Sequence, residues 1–229
     1  MGVRFPPFAT SVRQCLPKEK TLYIKDNVPH FGNKLRRTVI LFYGFLTVIS
    51  IVWMYFRGHS NIFLYKNAAL DTKPYLQSIG SILIGCALGL LLVCLTQILQ
   101  VRFKSIRLLH NEFHHLITFT SKRDLFLLAL FSSFGEELFF RGAILGEFLH
   151  WIPTRAGIAL SVCISSFLFS LLHIAPGRKF YAWTISSFIL GILLALLYLQ
   201  LGDLWVVIAL HFTVNWCNLR SITKQPVQV

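Results

Sequence analysis

The stretch from Asp124 to His150 reads DLFLLALFSSFGEELFFRGAILGEFLH. It holds no proline and is apolar along most of its length. As a helix at about 1.5 Å per residue it would be roughly 40 Å long, more than the ~30 Å hydrocarbon core of a bilayer. Yet Glu136, Glu137 and Arg141 stand near its middle. An ionisable group there costs about 3 to 10 kcal/mol unless it meets a partner inside the protein. Glu137 and Arg141 are four residues apart with the acid first, the better order for pairing on one helical face. Glu136 projects about 100° away. Glu137 is therefore expected to neutralise Arg141, and Glu136 to face some other group.

Five more apolar segments surround this one: Thr38 to Phe56, Tyr75 to Leu99, Ala156 to about Ile174, Tyr181 to Gln200, and Asp203 to about Leu219. Each is close to the ~20 residues that a membrane-crossing helix needs. Only helices satisfy their backbone groups in single apolar segments like these. The fold expected is all-α, a polytopic transmembrane bundle of about six spans. Composition agrees: 229 residues, 55% hydrophobic, 14% charged, with a mean hydropathy of +0.64.

The expected organisation has five parts. Residues 1–37 form a basic cytosolic tail, and 38–99 hold two N-terminal spans. Residues 100–123 are an amphipathic interfacial segment, in which Ile106, Leu109, Phe113, Leu116 and Ile117 recur at helical spacing. Residues 124–219 hold the polar motifs, and 220–229 form a C-terminal tail. No leader-like apolar core occurs in 1–37, and Pro6 stands where a myristoylation signal has Ser or Thr. Pro153 with Thr154, Pro176 with Gly177, and Gly202 with Asp203 make tight links, with Asp203 as a helix cap. In the second span, Ser81, Gly85 and Gly89 suit close helix approach, within the bundle or at a dimer seam.

The net charge is +13. With the N-terminus in the cytoplasm, 17 of the 22 Lys and Arg fall inside, 4 fall outside, and Arg141 lies within a span. That bias puts both termini inside. The basic residues are spread over tails and loops with no recognition element, so no nucleic-acid partner is expected. The lipid bilayer is the expected partner surface; oligomeric state is not specified. The five cysteines form no C-x-x-C pair, and read as packing residues.

Two further polar pairs lie in later spans: Phe169 with His173 in FLFSLLH, and His211 with Asn215 in ALHFTVNW. Each pair is spaced to share one helical face. Counting along the spans sets Glu136 about 18 Å from the inner edge, with Asn215 similarly deep from the outer edge and His173 nearer the cytoplasmic side. A carboxylate facing an imidazole across a pocket can hold a water and take its proton. A histidine and an asparagine can donate hydrogen bonds to the oxyanion formed when water attacks a carbonyl. These are parts of a peptide hydrolase. Two other readings stay open: a non-catalytic membrane scaffold or bacteriocin-immunity protein, and a small proton-coupled transporter, although no internal repeat is visible.

The ordered set E-E-x-x-x-R, F-x-x-x-H, H-x-x-x-N resembles the CPBP family of intramembrane proteases, also called the Abi or type II CAAX-protease family. The resemblance covers about Asp124 to Leu219. It implies an intramembrane endopeptidase acting on a membrane-anchored, in some members prenylated, protein or peptide. It implies that Glu136 and His173 activate water and that His211 and Asn215 stabilise the oxyanion. Glu137, Arg141 and Phe169 would support the site. It implies no cofactor, with zinc as the alternative, since two histidines and a glutamate are zinc-type donors. Elsewhere, His110, His114 and His115 have metal-like spacing but are expected at the surface. Glu147, His150 and Trp151 are expected to anchor the outer interface.

Overall fold

The computed structural model describes residues 31–58, 63, 74–117, 120–175 and 177–223. The expected tails lie mostly outside the described residues, as do most of the loop between the first two spans and the linker residue Pro176. Among the described residues the elements are helical: α1 (Phe31–Phe56), α2 (Pro74–Arg102), α3 (Lys104–Ile117), α4 (Lys122–Glu137), α5 (Gly146–Trp151), α6 (Arg155–Leu171), α7 (Tyr181–Leu201) and α8 (Leu204–Ile222). A π-helical stretch, Leu138–Leu145, joins α4 to α5, so that 122–151 is one uninterrupted rod.

Several boundaries differ from expectation. α1 begins at Phe31, inside the segment read as tail, because Lys34, Arg36 and Arg37 are good helix formers ahead of the apolar run. The interfacial helix is only Lys104–Ile117. Gln100 to Arg102 finish α2, and Lys122 opens α4. That helix is docked rather than free: His110 and His114, expected at the surface, are buried, and Phe113 meets the rings of Phe180 and Trp183 edge-on. α6 stops at Leu171, so His173 lies in the turn beyond it, not on a helical face.

The helix ends follow from local chemistry. Ser121 caps α4 by accepting from the Asp124 amide at 3.1 Å, while its own hydroxyl donates to Asp124 Oδ2 at 2.7 Å. Cap and third residue are thus joined by two hydrogen bonds, one of which satisfies a backbone amide at the helix start. Thr154 caps α6 through the Gly157 amide. Gly202 closes α7 at φ 68°, a left-handed conformation that glycine adopts without penalty. Asp203 caps α8 by accepting from the Trp205 amide at 2.8 Å, as expected.

Two helix pairs run side by side in the same direction. α1 lies along α4: Arg36 pairs with Asp124 at 2.9 Å at one end, and Arg57 with Glu147 at 2.9 Å at the other. α2 lies along α8: Ser81 donates to Asp203 at 2.5 Å near one end, and Thr96 meets Asn218 further along. The glycines at 85 and 89 make the second pairing possible. A Cβ on Gly85 would stand 2.2 Å from the Val206 carbonyl oxygen, and one on Gly89 would stand 2.7 Å from Thr213 Cβ. Their role is close packing inside this chain. α8 crosses α4 in the opposite direction, and α6 and α7 form an antiparallel pair.

The outer surface is apolar. Leu41, Phe45 and Val48 on α1, Leu83 and Leu91 on α2, and Ile185 and Ile189 on α7 are all exposed. So much contiguous exposed hydrocarbon fits lipid rather than water. Among the described residues, three helices are long and apolar enough to cross a membrane by length and composition: Lys34–Phe56, Ser78–Arg102 and Tyr181–Leu201. α6 is apolar but shorter, at 17 residues. The rod 122–151 and α8 carry the motif residues that dilute their hydropathy.

Candidate active site

The rod 122–151, the end of α6 and the middle of α8 bring the three motifs together. Glu136, Glu137 and Arg141 come from the first, Phe169 and His173 from the second, and His211 and Asn215 from the third. Glu136, Glu137, Arg141, Phe169 and His211 are all buried. His173 is partly buried.

Glu136 Oε2 lies 3.9 Å from His173 Nε2 and 3.9 Å from His211 Nε2. It has no hydrogen-bond partner among the described residues. Each histidine is anchored by its other nitrogen. His173 Nδ1 donates to the Phe169 carbonyl at 2.9 Å, and His211 Nδ1 donates to Glu137 Oε1 at 2.8 Å. A carbonyl or carboxylate oxygen only accepts, so Nδ1 carries the proton in both rings and the Nε2 atoms face Glu136. This explains how His173 reaches the site although it lies beyond its helix. The turn at 172–173 folds its ring back over Phe169, with centroids 4.7 Å apart.

Glu137 serves two neighbours. Its Oε1 accepts from Arg141 at 3.1 Å as well as from His211. Arg141, wholly buried, also donates to the Gly191 carbonyl on α7 at 3.0 Å. Its guanidinium lies 4.5 Å from the centroid of Phe169, a cation–π contact. The Phe169 ring also meets Phe140 and His211 edge-on. It thus touches both Arg141 and the two imidazoles. Asn215 sits one turn beyond His211, and its amide contacts Ser132 Oγ at 3.3 Å. Ser132 is one turn before Glu136 on α4, so the amide lies beside the carboxylate's face of that helix.

The π stretch begins directly after Glu137. Its wider turn leaves carbonyls outside the regular α ladder. Ser165 of α6 donates to that of Phe140 at 2.8 Å.

Several participants were invisible in the sequence. Tyr43 of α1 packs against Gly135, the residue before Glu136: a Cβ on that glycine would stand 3.3 Å from Tyr43 Cβ. Trp183 packs edge-on to His173, with centroids 5.2 Å apart. Gly191 supplies a carbonyl to Arg141. None has a spacing that ties it to the motifs. Glu147 meets Arg57 and accepts from Trp53 Nε1 at 3.1 Å, and so ties α1 to the rod.

Glu136, His173 and His211 are zinc-type donors, but among the described residues no group of three or more His, Cys, Asp or Glu is arranged to hold a metal ion.

Residues 120–217 match the family model described as type II CAAX prenyl endopeptidase Rce1-like. The resemblance to the CPBP family is real. The matched stretch runs from just before the Ser121 cap to Cys217 and contains all seven motif residues. α1 and α2, and with them Tyr43, lie outside the CPBP-like stretch. No curated protein and no solved structure matches the chain.

Proposed function

We propose that the chain is an intramembrane endopeptidase that trims a prenylated CAAX-type tail from a membrane-anchored protein. The observation that carries this reading is the convergence of Glu136 Oε2, His173 Nε2 and His211 Nε2 with 3.9 Å separations. With both Nδ1 atoms protonated, these three atoms all accept hydrogen bonds. A water has two protons to give, and spans gaps of this size. The substrate class comes from the family description and the apolar exterior.

In the reaction, Glu136 takes a proton from water as the oxygen attacks the scissile carbonyl. The hydroxyl oxygen forms the new C–O bond, and the carbonyl π pair moves onto its oxygen. The oxyanion receives a hydrogen bond from the Asn215 amide, and one from His211 Nε2 after the proton taken from water passes from Glu136 to that nitrogen, to return to Glu136 on collapse. Glu137, fixed on His211 Nδ1, balances that imidazolium. Collapse breaks the C–N bond, and the leaving amine takes the proton held by Glu136. His173 holds the water in line. Arg141 and Phe169 keep Glu137 and the two rings in place. The six-span arrangement with both termini in the cytoplasm belongs to the same proposal. The parallel α1–α4 and α2–α8 pairs agree with it, because alternation gives the members of each pair the same direction.

The test uses purified protein in liposomes and a farnesylated peptide ending in a CAAX tetrapeptide. Mass spectrometry should find the C-terminal tripeptide released by the wild type and not by Glu136→Gln. Equal release by both, or none by the wild type, would overturn the proposal.

A further inference from the structure

We infer that Thr184 and Trp183 at the start of α7, with Phe113 of α3 behind them, are positioning residues for His173, so that a helix outside the family-matched stretch buttresses the proposed active site. This rests on the protease reading.

Of the three groups that converge, Glu136 lies within α4 and His211 within α8, but His173 stands beyond the end of α6. Its side chain is also the most exposed of the three, at 14% against 3% for Glu136 and 1% for His211. Within its own segment it has two holds. Its amide donates to the Ser170 carbonyl at 3.0 Å, and its Nδ1 donates to the Phe169 carbonyl at 2.9 Å. Both reach back into the last turn of α6. They fix the ring against that helix end and leave it unfixed from the other side.

The other side is supplied by α7. The Thr184 hydroxyl donates to the His173 carbonyl at 2.9 Å. The backbone of His173 is thus engaged through its amide by α6 and through its carbonyl by α7. Trp183, one residue earlier, meets the imidazole edge-on, with centroids 5.2 Å apart. The imidazole therefore touches one aromatic ring from each helix, Phe169 and Trp183. Edge-on contacts of this kind fix orientation as well as distance.

Trp183 is itself held from α3. Phe113 meets it edge-on at 4.9 Å between centroids, and meets Phe180 edge-on at 5.9 Å. Phe113 belongs to the docked face of α3, with His110 and His114 buried on either side of it in sequence, whereas Lys104, Arg107 and Leu108 are exposed. The contacts run without a break from α3 through Trp183 to the imidazole that faces Glu136.

A misplacement of about 1 Å costs up to about a hundredfold in rate. Thr184→Val keeps the shape of the side chain and removes the hydroxyl; Thr184→Ser keeps the hydroxyl and removes a methyl. On the farnesylated CAAX peptide in liposomes, Thr184→Val should lower kcat about 10- to 100-fold with KM within about twofold of wild type, and Thr184→Ser should keep kcat within about threefold. A purely packing role would reverse that order. Phe113→Leu should lower kcat about 3- to 10-fold. Combined with Trp183→Leu it should lose no more than Trp183→Leu alone, because Phe113 acts through Trp183. Thr184→Val with kcat within about twofold of wild type, or losses of Phe113→Leu and Trp183→Leu that simply multiply, would overturn the inference. Glu136→Gln run alongside separates the two ideas. If it stays active, the protease reading fails; if it is inactive while Thr184→Val and Phe113→Leu turn over normally, only the buttress fails.

Discussion

His211 Nδ1 stands 2.8 Å from Glu137 Oε1, and the same oxygen receives Arg141 at 3.1 Å. One carboxylate thus orients a buried imidazole and neutralises a buried guanidinium. Removing it strands a buried charge, which costs about 3 to 5 kcal/mol. Glu137→Ala should therefore lower the melting temperature in detergent sharply as well as abolish cleavage. Glu136→Gln, which removes a carboxylate with one unpartnered oxygen, should abolish cleavage with little change in melting.

Replacing His173 separates chemistry from packing in another way. Its ring is held by one backbone hydrogen bond and by contacts with Phe169 and Trp183. His173→Phe keeps the aromatic contacts and removes both nitrogens. Turnover of the CAAX peptide should drop at least a hundredfold, with melting within about 3 °C of wild type. Retained turnover would remove His173 from the mechanism.

The α2–α8 seam gives a prediction independent of any activity. Gly85→Ala sets a methyl against the Val206 carbonyl and Ala209, and overpacking of this kind costs about 1 to 3 kcal/mol or more. Gly80→Ala, where an added Cβ meets nothing within 4 Å, should cost nothing. Comparison of the two melting curves checks the seam, and equal stability of the two variants would contradict it.

Histidine 110 predicts a pH dependence. Burial foremost, and then the nearby His114, hold its pKa below the ordinary 6.5. A histidine whose folded pKa is depressed is bound in its neutral form. Its stabilising contribution is complete above about 6.5 and is lost as pH falls below that value. Melting temperature should decline on acidification from pH 7.5 to 5, and His110→Phe should flatten the decline. An unchanged slope in the variant would assign the effect elsewhere.

Much of this was legible in the sequence. Apolar runs announce helices because hydrocarbon allows little else, and intramembrane acids, bases and amides stand out against them. Gly85 and Gly89 were readable as a contact surface, and Gly202 with Asp203 as a stop and a start. The packing of Tyr43 on Gly135 was not readable, because a tyrosine in an apolar helix has many ordinary uses and the glycine lies 92 positions away. His173 looked like part of a helix because the residues around it suit one, but Leu171 to Ile174 are held by turn hydrogen bonds instead. His110 and His114 looked exposed because their neighbours are charged; they are buried on a helix that docks through Phe113 against Phe180 and Trp183, supplied from a distant part of the chain.

The π stretch at Leu138–Leu145 has its own consequence for numbering along the rod. More residues per turn there mean that the coil absorbs surplus chain before α5 begins. Glu147 meets Arg57 beyond that slack. Deleting one residue between 142 and 145 would let the coil tighten toward a regular α-helix, and the tightening would take up much of the ~100° that the lost residue would otherwise turn everything beyond. The fastening at the far end of α1 and the motif residues before the deletion would then both be kept, whereas the same deletion in the regular turns of α4 would shift them.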